Sequence, residues 1–515
     1  MPRSSKSPVA KETFFCLLSA ILLILSFPRA NLWILSWFGF VPLFFVLENK
    51  SKAKAFLFSY FTGVIFWSGI IYWLIHVTLP GTIVLILYLA IYFGIFGLIV
   101  SSIIHRPSSA APLIISSLWV VLEYLRSHLF SGFPWALLGH SQYPNLPVIQ
   151  IADITGAWGV SFLLMAANVA IYIGVTRLQG HPSLSLRTSK VTKPQVNYKP
   201  LFLACGVLFV SLGYGYFRLC LSPRTYHPEP IKISVVQGNI LQELKWNPEA
   251  KDYIINKYLG LSAQAVKDKP DLVIWPEAAL PVILEEEPIF FERVKDFARG
   301  NKTPLLLGAV TKRDNLYYNS ALLVSGRGEP AGRYDKLHLV PFGEYIPLKR
   351  ILPFLETIVP IGDISRGREY TVFSQGARYF SVLICFEDLF PELASGFVKS
   401  GAQFLVNITN DAWYKKTSAA HQHLQASVFR AVENRVPLVR AANTGVSGFI
   451  SPSGKIISLV QDKNGREIFI DGYKAEKIAL QKRPLSFYTR YGDIFVALCF
   501  LFTLYGIISP FKKKQ

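Results

Sequence analysis

Cysteine is scarce in this chain, five in 515 residues. Cys16, Cys205 and Cys499 lie inside apolar runs and Cys220 at the end of one, which leaves Cys385 alone in the more polar middle. A disulfide framework is therefore excluded there, and no Cys/His spacing suits a metal. His421 and His423 lack a third ligand and read as ordinary helix residues. Acidic side chains are also few outside residues 231–487, a stretch that holds 27 of the 33 Asp+Glu but only 33 of the 53 Lys+Arg. The net charge of +20 thus resides mostly in short loops and tails beside apolar runs, where membrane topology sets charge. No basic nucleic-acid groove is needed to explain it. Charged residues make up only 17% of the chain against 51% hydrophobic, with a mean hydropathy of +0.35. A soluble protein of this length rarely has such a balance.

Apolar stretches long enough to cross ~30 Å of hydrocarbon recur at 12–27, 31–47, 56–76, 82–104, 110–128, 155–176, 201–219 and 489–510. The first two, separated by Pro28-Arg29-Ala30, are expected to form a tight helical pair. Arg3, Lys6 and Lys11 ahead of the first run look like the start of a secretory leader. No small-residue cleavage site follows, so a retained helix is expected. With the N-terminus inside, the remaining inside segments carry Lys50, Lys52 and Lys54, then Arg106, then Arg177, Arg187, Lys190, Lys193 and Lys199, then Lys512, Lys513 and Lys514. That is the positive-inside pattern. The expected organisation is a helical bundle of about seven spans over 1–220 and a catalytic domain over 228–487 on the outer, periplasmic face. A final span over 489–510 and a basic cytoplasmic tail at 511–515 complete it. His76, Glu123, Arg126 and Asp153 lie near span ends and read as boundary anchors, not a transport path.

Between the spans, β-rich runs alternate with amphipathic stretches. Strands are expected at 231–240, 271–279, 304–312, 316–325, 379–387, 402–410 and 437–445, and helices at 248–268, 288–299, 391–400 and 421–435. Such alternation implies an α/β layered sandwich. Three polar residues close apolar strands: Glu277 after VIWP, Lys336 within RYDKLHLVPFGEY, and Cys385 after SVLI. Together they have a mechanism. A carboxylate takes the thiol proton, the thiolate attacks a carbonyl carbon, and the ammonium with the backbone N–H after the cysteine holds the oxyanion. Taken singly, each is bland: an inert core thiol, a helix-start acid, a solvated lysine.

The order of these three, each inside its own flanking motif, resembles the nitrilase superfamily over residues 231–455. The resemblance rests on Trp275-Pro276-Glu277, on Lys336 followed by HLVPFGEY, on Cys385-Phe386-Glu387-Asp388, on Asn410-Asp411-Ala412-Trp413 and on Arg440 through Gly445. With the spans before and after, the whole chain resembles the bacterial apolipoprotein N-acyltransferases. That resemblance implies an α-β-β-α sandwich beside a transmembrane bundle of about eight spans, with no metal and no cofactor. It also implies transfer of an acyl chain from a glycerophospholipid, typically phosphatidylethanolamine, through a cysteine thioester. The acceptor would be the free α-amino group of the diacylglyceryl-cysteine at a lipoprotein N-terminus, and the location a bacterial inner membrane.

Carried over by position, Cys385 is the nucleophile, Glu277 the base and Lys336 the oxyanion donor. Glu344 resembles a supporting glutamate, and Glu387 a further essential acid that reads equally well as a structural carboxylate binding backbone. Trp246 resembles a tryptophan on a mobile arm, with a structural role as the alternative. Phe386 stands where tyrosine is usual, which keeps its backbone N–H and removes a hydroxyl. Two segments suit a lipid-facing site: the apolar 345–362, and 412–420, in which Trp413 and Tyr414 adjoin Lys415 and Lys416. The rival readings are a membrane-anchored amidase, in which water resolves the thioester, and a silent binding protein that kept the fold. Eight spans exceed what an anchor needs, and an intact triad speaks against silence.

Overall fold

A computed structural model describes residues 8–104, 110–178, 199–221, 230–346, 364–480 and 484–508. The chain divides into two compact units, Met1–Leu221 with Asp493–Gln515, and Ser222–Gly492. Among the described residues of the first, four helices are long and apolar enough to cross a membrane: Lys52–Ile70, Leu79–Val100, Ala157–Thr176 and Leu201–Cys220. Helices Pro8–Leu25, Ala111–His128 and Ile494–Ile508 stand at three of the other expected spans. Helices 52–70 and 79–100 approach closely because glycines line the contact. A Cβ on Gly97 would lie within 2.5 Å of the Ser59 Cβ, and one on Gly94 within 2.6 Å of the Phe56 ring. Small residues let helix backbones meet in this way where no hydrophobic drive separates protein from lipid.

Two expectations for this unit are corrected. Residues 31–47 are not one helix but a 3-10 turn, Trp33–Trp37, and a short helix, Val41–Leu47. Irregular backbone survives here because protein groups satisfy it. Gln142 donates to the Trp33 carbonyl at 2.9 Å, while Asn168 donates to the Ser36 carbonyl and accepts from the Phe40 N–H, both at 2.8 Å. Glu123, Arg126 and Asp153 are not boundary anchors but buried, at 4%, 3% and 3% exposure. Glu123 accepts the Leu138 N–H, Arg126 donates to the Phe133 and Trp135 carbonyls, and Asp153 pairs with Arg218 and Tyr214. They close irregular chain, a need that hydropathy does not reveal. Of the four, only His76 stays exposed.

The second unit is built on two mixed sheets. The first holds β1 (Ile231–Gln237), β2 (Leu272–Ile274), β3 (Leu280–Ile283), β4 (Leu305–Arg313), β5 (Leu316–Val324), β6 (Pro330–Asp335) and β13 (Gly472–Ile478), in the order β13-β1-β2-β4-β5-β6 with β3 beside β4. The second holds β7 (Phe373–Gln375), β8 (Arg378–Ile384), β9 (Phe404–Thr409), β10 (Leu438–Ala442), β11 (Gly448–Ile450) and β12 (Ile456–Leu459), in the order β12-β11-β10-β9-β8-β7. Central strands β8, β9 and β10 run parallel. They are Val/Ile/Leu-rich and buried on both faces, as parallel strands under helices must be. Helices Lys251–Ala265 and Pro288–Asn301 cover the first sheet through Ile254, Ile255, Tyr258, Val294 and Ala298. Helices Pro391–Lys399 and Ala419–Asn434 pack on the second, and the sheets meet with β1 against β10 and β5 against β8. Loops leaving the ends of β2, β6, β8 and β9 therefore gather at one place.

Candidate active site

Glu277 follows β2 through Trp275-Pro276. Trp275 is fully buried, donates to the Ser262 hydroxyl at 2.7 Å and stacks on Tyr258, which fixes the strand end. A Cβ on Gly308 of β4 would sit 2.6 Å from the Glu277 Cα, so only glycine lets this turn pass so closely. Ala278 then takes a left-handed φ of 44°. The Glu277 carboxylate is 8% exposed and accepts from Asn319 Nδ2 of β5 at 2.8 Å. Asn319 holds Glu344 at the same distance, so one amide spaces two carboxylates.

Lys336, 1% exposed, extends from the end of β6 into the gap between those carboxylates. Its Nζ is 2.9 Å from Glu344 and 3.8 Å from Glu277. Burial alone would lower its pKa, but Glu344, Glu277, Cys385 and Glu387 outweigh burial and raise it, so the ammonium stays charged. Glu344 is in turn fixed by the Val340 N–H at 2.9 Å.

Cys385 ends β8 and opens a 3-10 turn, Cys385–Leu389, with a left-handed φ of 53°. A non-glycine residue held there stores roughly 1–3 kcal/mol of strain and marks a functional turn. The thiol is raised by burial and then by Glu277, with Lys336 offsetting part of it, so it rests protonated. Glu387 is the bracket of the site. Its carboxylate accepts the Ile384 N–H at 2.7 Å on the cysteine side, and the Leu337 N–H at 2.7 Å and His338 N–H at 2.9 Å on the lysine side. Tyr334 donates to it as well, at 2.8 Å. Burial pushes Glu387 up to about 7, against the pull of Lys336 and these donors. Replacing Glu387 with Ala is expected to leave those donors buried and unpaired, costing roughly 3 kcal/mol or more and separating the Lys336 loop from the Cys385 turn. A thermal melt indistinguishable from that of the unaltered protein would refute the bracket.

Beneath the turn lies a charged layer that the sequence reading missed. His423, expected to be an ordinary helix residue, is 1% exposed and sits between Asp388 (2.8 Å) and Asp411 (2.9 Å). Burial and Arg440 oppose its charge, but the two carboxylates prevail and lift it to about 9. Against burial, His423 and Arg440 hold Asp411 down at about 2. Arg440 also meets Asp388 at 3.1 Å and Asn407 at 2.6 Å, and Asn407 donates to the Cys385 carbonyl at 3.1 Å. His421 remains one-third exposed beside Glu467 at 3.3 Å. Among the described residues, no group of three His, Cys, Asp or Glu is placed to hold a metal.

The expected site residues Glu277, Lys336, Glu344, Cys385 and Glu387 thus converge. Phe386 is 7% exposed, with its ring against Phe390 and His338. Trp246 and Trp413 project outward at 48% and 50% exposure. The apolar segment 345–362 lies outside the described residues except for Tyr345 and Ile346. Asn319 and Lys245 were also missed, although an Asn inside the apolar run LYYNSALLV carried a signal.

Residues 19–170 match the family described as apolipoprotein N-acyltransferase N-terminal domain, and residues 232–480 the carbon-nitrogen hydrolase family. The chain is similar to the apolipoprotein N-acyltransferase of Geobacter metallireducens, 38% identical over 98% of this chain and 96% of that one. It is similar as well to the Haemophilus influenzae protein of that name, 30% identical over 97% and 95% of the two chains. A solved amidase of the nitrilase superfamily, from Nesterenkonia AN1, is 18% identical with a TM-score of 0.40, covering 54% of this chain and 100% of that one.

Proposed function

Because the chain belongs to the apolipoprotein N-acyltransferase family, we propose that it carries out the last step of lipoprotein maturation with Glu277, Lys336 and Cys385 as its catalytic residues. The observation that carries this reading is a cysteine on a strained turn beside a buried ammonium flanked by two carboxylates. Since the thiol rests protonated, its proton passes to Glu277 as sulfur reaches the ester carbonyl of a glycerophospholipid, not before. The oxyanion that forms is met by the Lys336 ammonium and the Phe386 N–H. The C–O bond then breaks, the lysophospholipid alcohol leaves with the proton from Glu277, and the acyl chain stays on sulfur as a thioester. In the second half, the free α-amino group of a diacylglyceryl-cysteine attacks that thioester. Glu277 takes the amine proton, the C–S bond breaks, and the proton returns to the thiol.

Phosphatidylethanolamine is the donor we propose, with Glu344 and Glu387 supporting the site and Trp246 and Trp413 meeting the substrates. The chain is a membrane protein, and we place it in a bacterial inner membrane with about eight spans. In that arrangement residues 1–220 form the bundle, 228–487 the periplasmic catalytic domain, 489–510 the last span and 511–515 a cytoplasmic tail. The exposed apolar faces of helices 79–100 and 199–220, among them Ile83, Val84, Phe202, Phe209 and Val210, suit contact with lipid. The test is purified protein mixed with phosphatidylethanolamine labelled in its acyl chain. Hydroxylamine-sensitive label on the protein, transferable to a diacylglyceryl peptide with a free amine, is the expected result. Hydrolysis of small amides without any labelling would replace this reading with the anchored amidase.

A further inference from the structure

The turn after β1 has its polarity inverted. Leu241, Leu244 and Trp246 are exposed by 48%, 36% and 48%, whereas Lys245, the residue that water would favour, is 3% exposed. The turn is anchored on the N-terminal side of that inversion. Asn443 accepts the Ile240 N–H at 2.8 Å and donates to the Ile240 carbonyl at 2.7 Å, and Asn410 donates to Gln242 at 2.9 Å. The buried ammonium finds no carboxylate within salt-bridge reach among the described residues. Its hydrogen bond goes to the main-chain carbonyl of Glu277, at 2.9 Å.

Burying an ammonium without a paired anion costs several kcal/mol, and a leucine or methionine would fill the same space without that cost. The placement therefore calls for a use of the charge. Glu277 and Glu344 are two carboxylates sharing the single Lys336 ammonium. When Cys385 gives its proton to Glu277, negative charge moves from that carboxylate to the sulfur side of the same pocket. Lys245 supplies a second cation, held at the main-chain carbonyl of Glu277.

We propose that Lys245 is a positioning residue for the acyl-transfer reaction, fixing the peptide of the base Glu277 and balancing the negative charge that passes from Glu277 to Cys385. This rests on the acyl-transfer reading above. The carbonyl it holds belongs to the peptide just before left-handed Ala278, so the hydrogen bond fastens the turn that aims the carboxylate. The titratable groups facing it are Glu277, from the turn after β2, and Cys385, from the turn after β8. From the loop after β9, Asn410 reaches the same turn through Gln242. Burial lowers Lys245 to about 8, although Glu277 and Cys385 both favour its charge. Its charge is thus lost on the alkaline side of neutrality, while that of Lys336 is kept.

The experiment measures the single-turnover rate of thioester formation from labelled phosphatidylethanolamine between about pH 6 and 10. It uses the full-length protein and its Lys245→Met and Lys245→Arg variants. The unaltered protein is expected to slow above about pH 8, in the range where a buried lysine titrates. Lys245→Met is expected to be ~10- to 100-fold slower at neutral pH, with an unchanged KM for lipid and no fall near pH 8. Lys245→Arg, whose guanidinium does not titrate there, is expected to recover most of the rate and carry it unchanged to higher pH. Should Lys245→Met fail to fold, the pH profile of Lys245→Arg decides alone. A Lys245→Met protein with full activity, or variants that keep the unaltered pH profile, would overturn the inference and leave acyl transfer standing. An unaltered protein that takes no label would overturn the acyl-transfer reading itself, and this inference with it.

Discussion

Exchanging Cys385 for Ala is expected to abolish thioester labelling and to lower acyl transfer by ~10⁴-fold or more, the scale on which a lost nucleophile acts. No other sulfur takes over, because Cys385 is the one cysteine between residues 222 and 492. The variant is expected to remain folded. The thiol contributes little buried volume, and alanine meets the same left-handed φ that cysteine already accepts. The Glu387 bonds to the Ile384, Leu337 and His338 N–H groups do not involve the sulfur and hold the turn in place. Inactivity with an unchanged melt thus locates the chemistry at sulfur. Residual transfer above a few per cent of the original rate would mean that the acyl chain travels by another route.

The second large effect is expected from Lys336→Met, and it separates catalysis from stability. Acylation falls ~100-fold or more as the oxyanion loses a charged donor. Stability also drops by about 3–5 kcal/mol, since Glu277 and Glu344 are left facing each other without their cation. Adding Glu344→Gln to this variant removes one of the stranded charges. The double variant should regain much of the lost stability in a denaturant or thermal titration and none of the acylation rate. Recovery of both together would make Lys336 a structural cation only.

Of the proposed catalytic residues, Glu277 and Cys385 could be read from the chain because each follows a buried apolar strand, where a polar residue needs a reason. Lys336 follows the polar, part-exposed β6 and was legible only from its flanking motif. Strands of the second unit were legible from their apolar runs: β1, β5, β9 and β10 fall within the expected runs, and β4 and β8 overrun theirs by one residue each. What escaped was whatever depended on contacts between distant segments. Lys245 lies in a short loop, where no period shows which way a side chain turns. His423 sits on a helix whose residues are nearly all buried, so spacing could not set it apart from its neighbours. Glu123 and Arg126 were misplaced because a hydropathy run shows where a helix is apolar, not which irregular chain folds against its end. Residues 31–47 misled for a related reason: the run is apolar enough for a span, but its carbonyls are satisfied by Gln142 and Asn168, more than a hundred residues away in sequence.

The ammonium of Lys336 hangs from the first sheet and the thiol of Cys385 from the second, and Glu387 joins them only when both are in place. Neither half of the domain alone brings together the residues proposed for catalysis. On the proposed chemistry, a newly made chain is expected to stay inert towards its lipid donor until its two sheets have closed on each other. The same carboxylate that stiffens the finished enzyme acts as a safety catch during its birth.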